Sequence, residues 1–217
     1  MTHSFDKSYW DQIWTGERAT SMSTSEPNPH LIKEIDGLAR GTTIDAGCGA
    51  GAEAIWLATQ GWEVTGVDVS EAALAFADDR TPTGIAGQVE WVQADLSAWE
   101  PEAQYNLVTT HYAHPDMPQL DFYDRIASWV APQGTLLIVG HLHHRGSTND
   151  QRHEQGHGHG HTQPPTEASV TAAAITDRLD PDAWAVVTAE ESQRVVTDPG
   201  GHPTTVHDVV VKATRRH

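Results

Sequence analysis

Thr42–Ala58 reads TTIDAGCGAGAEAIWLA: an apolar run through Thr43, Ile44 and Ala46, then Gly47, Gly49 and Gly51, then helix-forming sequence. That is the pattern of a strand, a glycine-rich turn and a helix, the first βα unit of a nucleotide-binding α/β sheet. Glycine suits such a turn because a side chain would hold the backbone away from a ligand, and because tight turns call for positive φ. The next apolar run ends in Asp68, spaced to accept hydrogen bonds from both hydroxyls of a ribose. Asp45 and Asp68 therefore bring two carboxylates to one pocket, which fits a cationic cofactor better than a pyrophosphate.

The turn by itself leaves a dinucleotide enzyme open, because Gly47, Gly49 and Ala52 also satisfy the G-x-G-x-x-A fingerprint. Three features weigh against a nicotinamide-dependent oxidoreductase. Asp45, shortly before Gly47, is placed to meet the ammonium of an amino-acid moiety. Asp95 adds a further carboxylate after a third apolar run. A chain of 217 residues is also short for a cofactor domain plus a separate substrate domain.

Asp45–Gly51 (DAGCGAG) with Val67–Ser70 (VDVS) resembles motifs I and II of the class I S-adenosylmethionine-dependent methyltransferases. Val92–Leu96 (VQADL), Tyr105–His111 (YNLVTTH) and Pro132–Gly140 (PQGTLLIVG) resemble the later motifs, in the right order. Tyr9–Trp14 (YWDQIW) and Pro27–Leu31 (PNPHL) are similar to the small bacterial branch related to tellurite-resistance and thiopurine methyltransferases. The resemblance implies S-adenosyl-L-methionine as cofactor and a small-molecule acceptor, a thiol, hydroxyl or metalloid. It implies that Gly47, Cys48 and Gly49 contact the cofactor through the backbone, and that Asp45 holds its amino-acid end. Asp68 and Val69 would meet its ribose, and Asp95 with Leu96 its adenine.

Strand and helix signals alternate: strands at 42–46, 62–67, 88–93, 105–110 and 134–140, helices at 51–60, 71–79 and 119–130. Ser70 is a good N-cap for the run that follows, and Asn28 with Pro29 reads as a helix start. Ser169–Leu179 reads as a further helix. Ala183–Val196 and Thr204–Ala213 are β-branched runs separated by Asp198-Pro199-Gly200-Gly201, a hairpin signal. The expected fold is Rossmann-like α/β: a doubly wound, mostly parallel seven-stranded sheet with an antiparallel C-terminal edge and helices on both faces. Residues 1–217 are expected to form one methyltransferase domain, with an aromatic lid over residues 1–30 in which Tyr9 or Trp14 lines the pocket.

A formal charge of −17 argues against binding a phosphate backbone or an anionic membrane surface. No apolar run approaches the ~20 residues of a membrane span, and the first residues lack a signal-peptide plan. Cys48 is the single cysteine, so no internal disulfide forms and a reducing cytoplasm is expected. Its place in the turn reads as a small packing residue rather than a reactive thiol.

Four residues are candidates for the acceptor side: His111, Tyr112 and His114 after the 105–110 strand, and His141 after the next. Strand ends of this kind face the ligand crevice, and His111 or His114 would act as general base toward a hydroxyl or thiol. Residues 141–165 form a polar segment with half of the chain's 14 histidines. His157, His159 and His161 alternate with glycine, so an extended chain puts their rings on one face, and His153–His161 could take a divalent metal adventitiously. A metal-handling protein on a methyltransferase scaffold is the alternative function.

Overall fold

β1 (Thr42–Ala46) is buried over its last four residues and pairs in parallel with β2 (Glu63–Asp68) on one side and β4 (Tyr105–His111) on the other. In the computed structural model, which describes residues 5–16, 19, 22–142, 169–197 and 203–217, the sheet grows outward from this strand. β3 (Val89–Gln93) adds in parallel to β2, and β5 (Val130–Leu142) to β4. β8 (Pro203–Arg215) then runs antiparallel to β5, and β7 (Trp184–Thr197) antiparallel to β8. The strand order is β3-β2-β1-β4-β5-β8-β7. Chain direction across the sheet reverses beside β1, so the crevice opens at the carboxyl ends of β1 and β4.

The expected mostly parallel sheet with an antiparallel edge is therefore present, with one added piece. β6 (Ser169–Val170) pairs with His141 and Leu142 at the end of β5, giving eight strands rather than seven. The Ser169–Leu179 run is helical only over Ala172–Thr176. Thr171 takes the extended conformation of an N-cap and accepts a hydrogen bond from the Ala174 amide, which keeps the residues before it extended. The 119–130 helix likewise stops early, at Ala127, and β5 starts at Val130 because that residue already pairs with Tyr105.

Among the described residues six α-helices cover the sheet: α1 (Lys7–Thr15), α2 (Pro29–Glu34), α3 (Ala52–Thr59), α4 (Glu71–Arg80), α5 (Gln119–Ala127) and α6 (Ala172–Thr176). Asp6, Asn28 and Ser70 cap α1, α2 and α4 through side-chain oxygens. The central strands read as continuous apolar runs because both faces are covered. Leu136 and Ile138 pack with Phe122 and Ile126 of α5, whereas Leu137 and Val139 pack with Leu31 and Leu57 of α2 and α3. Among the described residues no helix is long and apolar enough to cross a membrane. The histidine-rich segment beyond Leu142, with its proposed metal ligands, and the 198–201 turn lie outside the described residues.

Candidate active site

The glycine turn is shaped by what crowds it. Gly47 has φ +82°, and a Cβ there would stand 2.2 Å from the Ala113 Cβ. Gly49 has φ +53°, and its missing Cβ leaves room for the Trp14 ring, whose nearest atom would stand 2.9 Å away. The turn is tied to the end of β2: Gly47 and Cys48 amides donate to the Val67 carbonyl, and the Gly49 amide donates to Asp68 Oδ2 at 2.9 Å. Asp68 Oδ1 accepts from the Ser70 amide, also at 2.9 Å. Burial pushes the Asp68 pKa up to about 6, against the pull of those two amides. The Cys48 thiol is buried, and burial holds it protonated, as a packing residue should be.

A cleft of about 920 Å³ opens above this turn, lined by Gly47, Cys48, Gly49, Asp68, Val69, Asp95 and Leu96 from the β1–β3 ends. His111, Tyr112, His114 and His141 line it from the β4 and β5 ends, and Phe5, Trp10 and Trp14 from the N-terminal segment. Trp14 is 5% exposed and packs against Phe76 of α4, while the Trp10 indole N–H donates to the His114 carbonyl at 3.2 Å. Asp95 Oδ1 accepts from the Ser97 amide and hydroxyl, capping the turn that follows.

Asp45 does not line the cleft. It lies 1% exposed beneath it, and neither carboxylate oxygen has a hydrogen-bond partner among the described residues. His111 Nδ1 stands 3.6 Å from Asp45 Oδ1, a charge contact slightly beyond hydrogen-bond length. Glu53 completes the group, the three side chains bringing their polar atoms within 4.8 Å of one another. Burial opposes a charged His111 ring, but Asp45 and Glu53 outweigh it and raise its pKa above the ordinary value. Glu53 in turn has a pKa raised by burial, and its Oε1 accepts from the Asn28 amide.

Tyr112 is the residue after β4 and has φ +55°, a left-handed conformation that costs a non-glycine residue about 1–3 kcal/mol. A network holds it there. Its hydroxyl donates to Asp208 Oδ1 at 2.7 Å and accepts from Arg194 at 3.0 Å and Asn28 at 3.3 Å. Asp208 is fully buried, and its Oδ2 accepts from Arg194 Nε at 2.6 Å and meets His30 Nε2 at 3.1 Å. Burial and Asp208 push the Tyr112 pKa up to about 12.

The two remaining histidines stack. The ring centroids of His114 and His141 are 5.3 Å apart, and His141 lies 4.7 Å from the Tyr112 ring. Burial lowers the pKa of both, that of His141 to about 4 with His114 adding to the effect. Both are therefore neutral near pH 7. His114 Nδ1 lies 2.9 Å from Gln119 Oε1, and its Nε2 is buried without a hydrogen-bond partner among the described residues. An unpaired buried acceptor costs about 1–3 kcal/mol.

Residues 44–134 match the family described as "Methyltransferase domain". Over that stretch, which is less than half of the chain, the sequence is similar to methyltransferase domains. Thiopurine S-methyltransferase of Legionella pneumophila is 28% identical over 151 residues, covering 60% of this chain and 67% of that protein. Ubiquinone biosynthesis O-methyltransferase of Pseudomonas paraeruginosa is 33% identical over 100 residues, covering 44% of this chain but only 43% of that protein. The chain thus spans less than half the length of this curated relative. A structure of magnesium protoporphyrin IX methyltransferase from Synechocystis PCC 6803 shares the fold, with a TM-score of 0.62 at 17% identity over 99% of this chain and 100% of that one.

The cleft gathers every candidate residue expected from the sequence among the described residues, save Asp45 just below it. Glu53, Asn28, Gln119, Arg194 and Asp208 were not foreseen. Asn28 and Glu53 sit on helix starts and Arg194 and Asp208 on the C-terminal hairpin, so no local motif joins them to the turn. Gln119, a plain helix-start residue, carries no signal at all.

Proposed function

We propose that this chain transfers the methyl group of S-adenosyl-L-methionine to a small-molecule thiol or acidic hydroxyl. The observation that carries the reading is the positive-φ turn at Gly47 and Gly49, bonded to Asp68, in the cleft that also holds a neutral His114. When bound, the cofactor supplies a methyl group on a sulfonium that is already activated for displacement. The chain's own contribution is binding, alignment and proton handling.

The site has the features such a cofactor needs. Gly47 and Gly49 form a cradle that side chains would fill. The Asp45 carboxylate, without a hydrogen-bond partner among the described residues, would with Glu53 attract the ammonium, offset in part by His111 to the extent that it is protonated. Asp68 would accept from the ribose hydroxyls, and Asp95 with Leu96 and Val69 would flank the adenosine. Trp14, over Gly49, would close the site. The magnesium protoporphyrin IX methyltransferase structure with bound S-adenosylmethionine supports the choice of cofactor.

His111 is poorly suited as a base, since Asp45 and Glu53 favour its protonated form. Tyr112 is committed to Asp208. His114, neutral and with an unpaired nitrogen, takes the proton from the acceptor and later passes it to water. A base of lowered pKa matches an acidic S–H or phenolic O–H better than an aliphatic alcohol, and the relatives named for S- and O-methylation agree with that class. His141 would form the stacking wall of the acceptor seat.

Calorimetric titration with S-adenosylhomocysteine tests the reading, with NADH as control. Micromolar binding of the former alone is expected, weakened about tenfold or more in Asp68→Ala. No binding by the wild type would overturn it.

A further inference from the structure

We propose that Gln119 is the positioning residue that locks His114 in its Nδ1–H tautomer and so leaves Nε2 as the proton acceptor at the acceptor end of the cleft. The proposal rests on the methyl-transfer reading and names the device that makes its base competent.

Gln119 is the first residue of α5 and is buried. Its amide cannot turn either way with equal ease, because its Nε2 donates to the Ala113 carbonyl at 3.0 Å, and a carbonyl can only accept. Oε1 is thereby pointed at His114 Nδ1, 2.9 Å away. An amide oxygen also only accepts, so Nδ1 carries the proton. In a neutral imidazole the other nitrogen, Nε2, is then the lone-pair acceptor.

Nε2 lies on the far side of the ring from Gln119, among groups that line the cleft. Phe5 stands 5.6 Å from the His114 ring and His141 5.3 Å, while Trp10 holds the His114 carbonyl. Nε2 is itself buried, so an S–H or O–H donor reaches it only where the Phe5 side of the ring opens, and there it meets an acceptor without a hydrogen-bond partner among the described residues. The proton would move from the acceptor to Nε2, and the freed lone pair would bond to the methyl carbon as the sulfonium–methyl bond breaks, its electron pair staying on the sulfur of the departing S-adenosylhomocysteine; the imidazolium then returns its proton to water. Gln119, being neutral, fixes the tautomer while raising the ring's proton affinity less than a carboxylate would, and burial still holds the pKa below its ordinary value. The other titratable groups around this end are His141 on β5, Tyr123 on α5, Asp6, Lys7 and Tyr9 at α1, and Asp116 in the loop after His114.

The test is nitrogen NMR of the His114 ring in the full chain near neutral pH, with calorimetry of S-adenosylhomocysteine on each sample. Wild type should show a pyrrole-like Nδ1 and a pyridine-like Nε2. Gln119→Leu should lose that pattern, and Gln119→Glu should keep it while raising the His114 pKa. With phenol as acceptor, which stays protonated near neutral pH, kcat should fall about tenfold or more in Gln119→Leu at an unchanged KM for S-adenosylmethionine. Gln119→Glu should recover it, with the acid limb of the pH profile moved to higher pH. A protonated Nε2 in the wild type overturns the proposal even if both variants misfold. S-adenosylhomocysteine binding with an unaltered pH profile in Gln119→Leu also overturns it, leaving the methyl-transfer reading intact. Failure of the wild type to bind S-adenosylhomocysteine overturns both.

Discussion

The Tyr112 hydroxyl donates a 2.7 Å hydrogen bond to Asp208 Oδ1, tying the strained residue that ends β4 to a fully buried carboxylate on β8. The bond crosses from the parallel part of the sheet to its antiparallel edge. It couples the geometry of the cleft wall to the C-terminal hairpin, because Arg194 on β7 grips the same two residues.

Asp208→Ala leaves the Tyr112 hydroxyl, Arg194 and His30 without their shared acceptor. Stability should drop by about 2–4 kcal/mol, read as the urea midpoint at a constant m-value. Asp208→Asn, which keeps one acceptor oxygen, should fall between. A loss below about 1 kcal/mol would show that water substitutes for the carboxylate.

The raised pKa of Asp68 makes cofactor binding pH-dependent. Only the carboxylate accepts from two ribose hydroxyls, so S-adenosylhomocysteine affinity should fall as pH drops through about 6. Asp68→Asn should bind more weakly at alkaline pH and show a flatter profile. Stability of the cofactor-free chain moves the opposite way. The folded pKa of about 6 lies above the ordinary 3.8, so this group's contribution is fully present below the latter and is lost as pH rises toward about 6. A wild-type affinity that stays level across that window argues against Asp68 as the ribose ligand.

Gly47→Ala combines a positive φ with a Cβ 2.2 Å from that of Ala113. The turn must shift, so we expect a loss of about 2 kcal/mol or more in stability and of cofactor binding together. Thermal melts with and without S-adenosylhomocysteine check this. A normal melt with normal ligand stabilisation would mean the 113 backbone yields easily.

His111 has a folded pKa above 6.5, so the stability from its ion pairs is fully present below that value and lost as pH rises through the raised one. The stability gap between wild type and His111→Gln should therefore be widest in mild acid and shrink in alkali. Melting temperatures at about pH 6 and about pH 9 give the comparison. A gap that does not vary with pH would mean the ring contributes by packing alone.

Much of this molecule was legible because its signals are local. Gly47, Gly49 and Asp68 sit within one βα unit whose turn demands glycine and whose strand end presents the carboxylate. Ser70 and Asn28 cap the helices they precede, as short-range hydrogen bonds allow. The early end of α5 and the two-residue β6 were not legible, because pairing of Val130 with Tyr105 and of Leu142 with Val170 is nonlocal.

His111 and His114 show the same division at the site. From sequence they are equivalent, two imidazoles three residues apart after one strand. Folding places His111 over Asp45 and Glu53, which favour its cation, and His114 against a neutral Gln119, with burial favouring the uncharged ring. The sequence alone determined the sheet, the glycine turn and the row of residues at the strand ends, because backbone conformation and hydrophobic period are written in neighbouring residues. Only the tertiary structure decided which histidine is favoured as a cation and which as a neutral ring, because protonation depends on the groups that distant segments bring within a few ångströms.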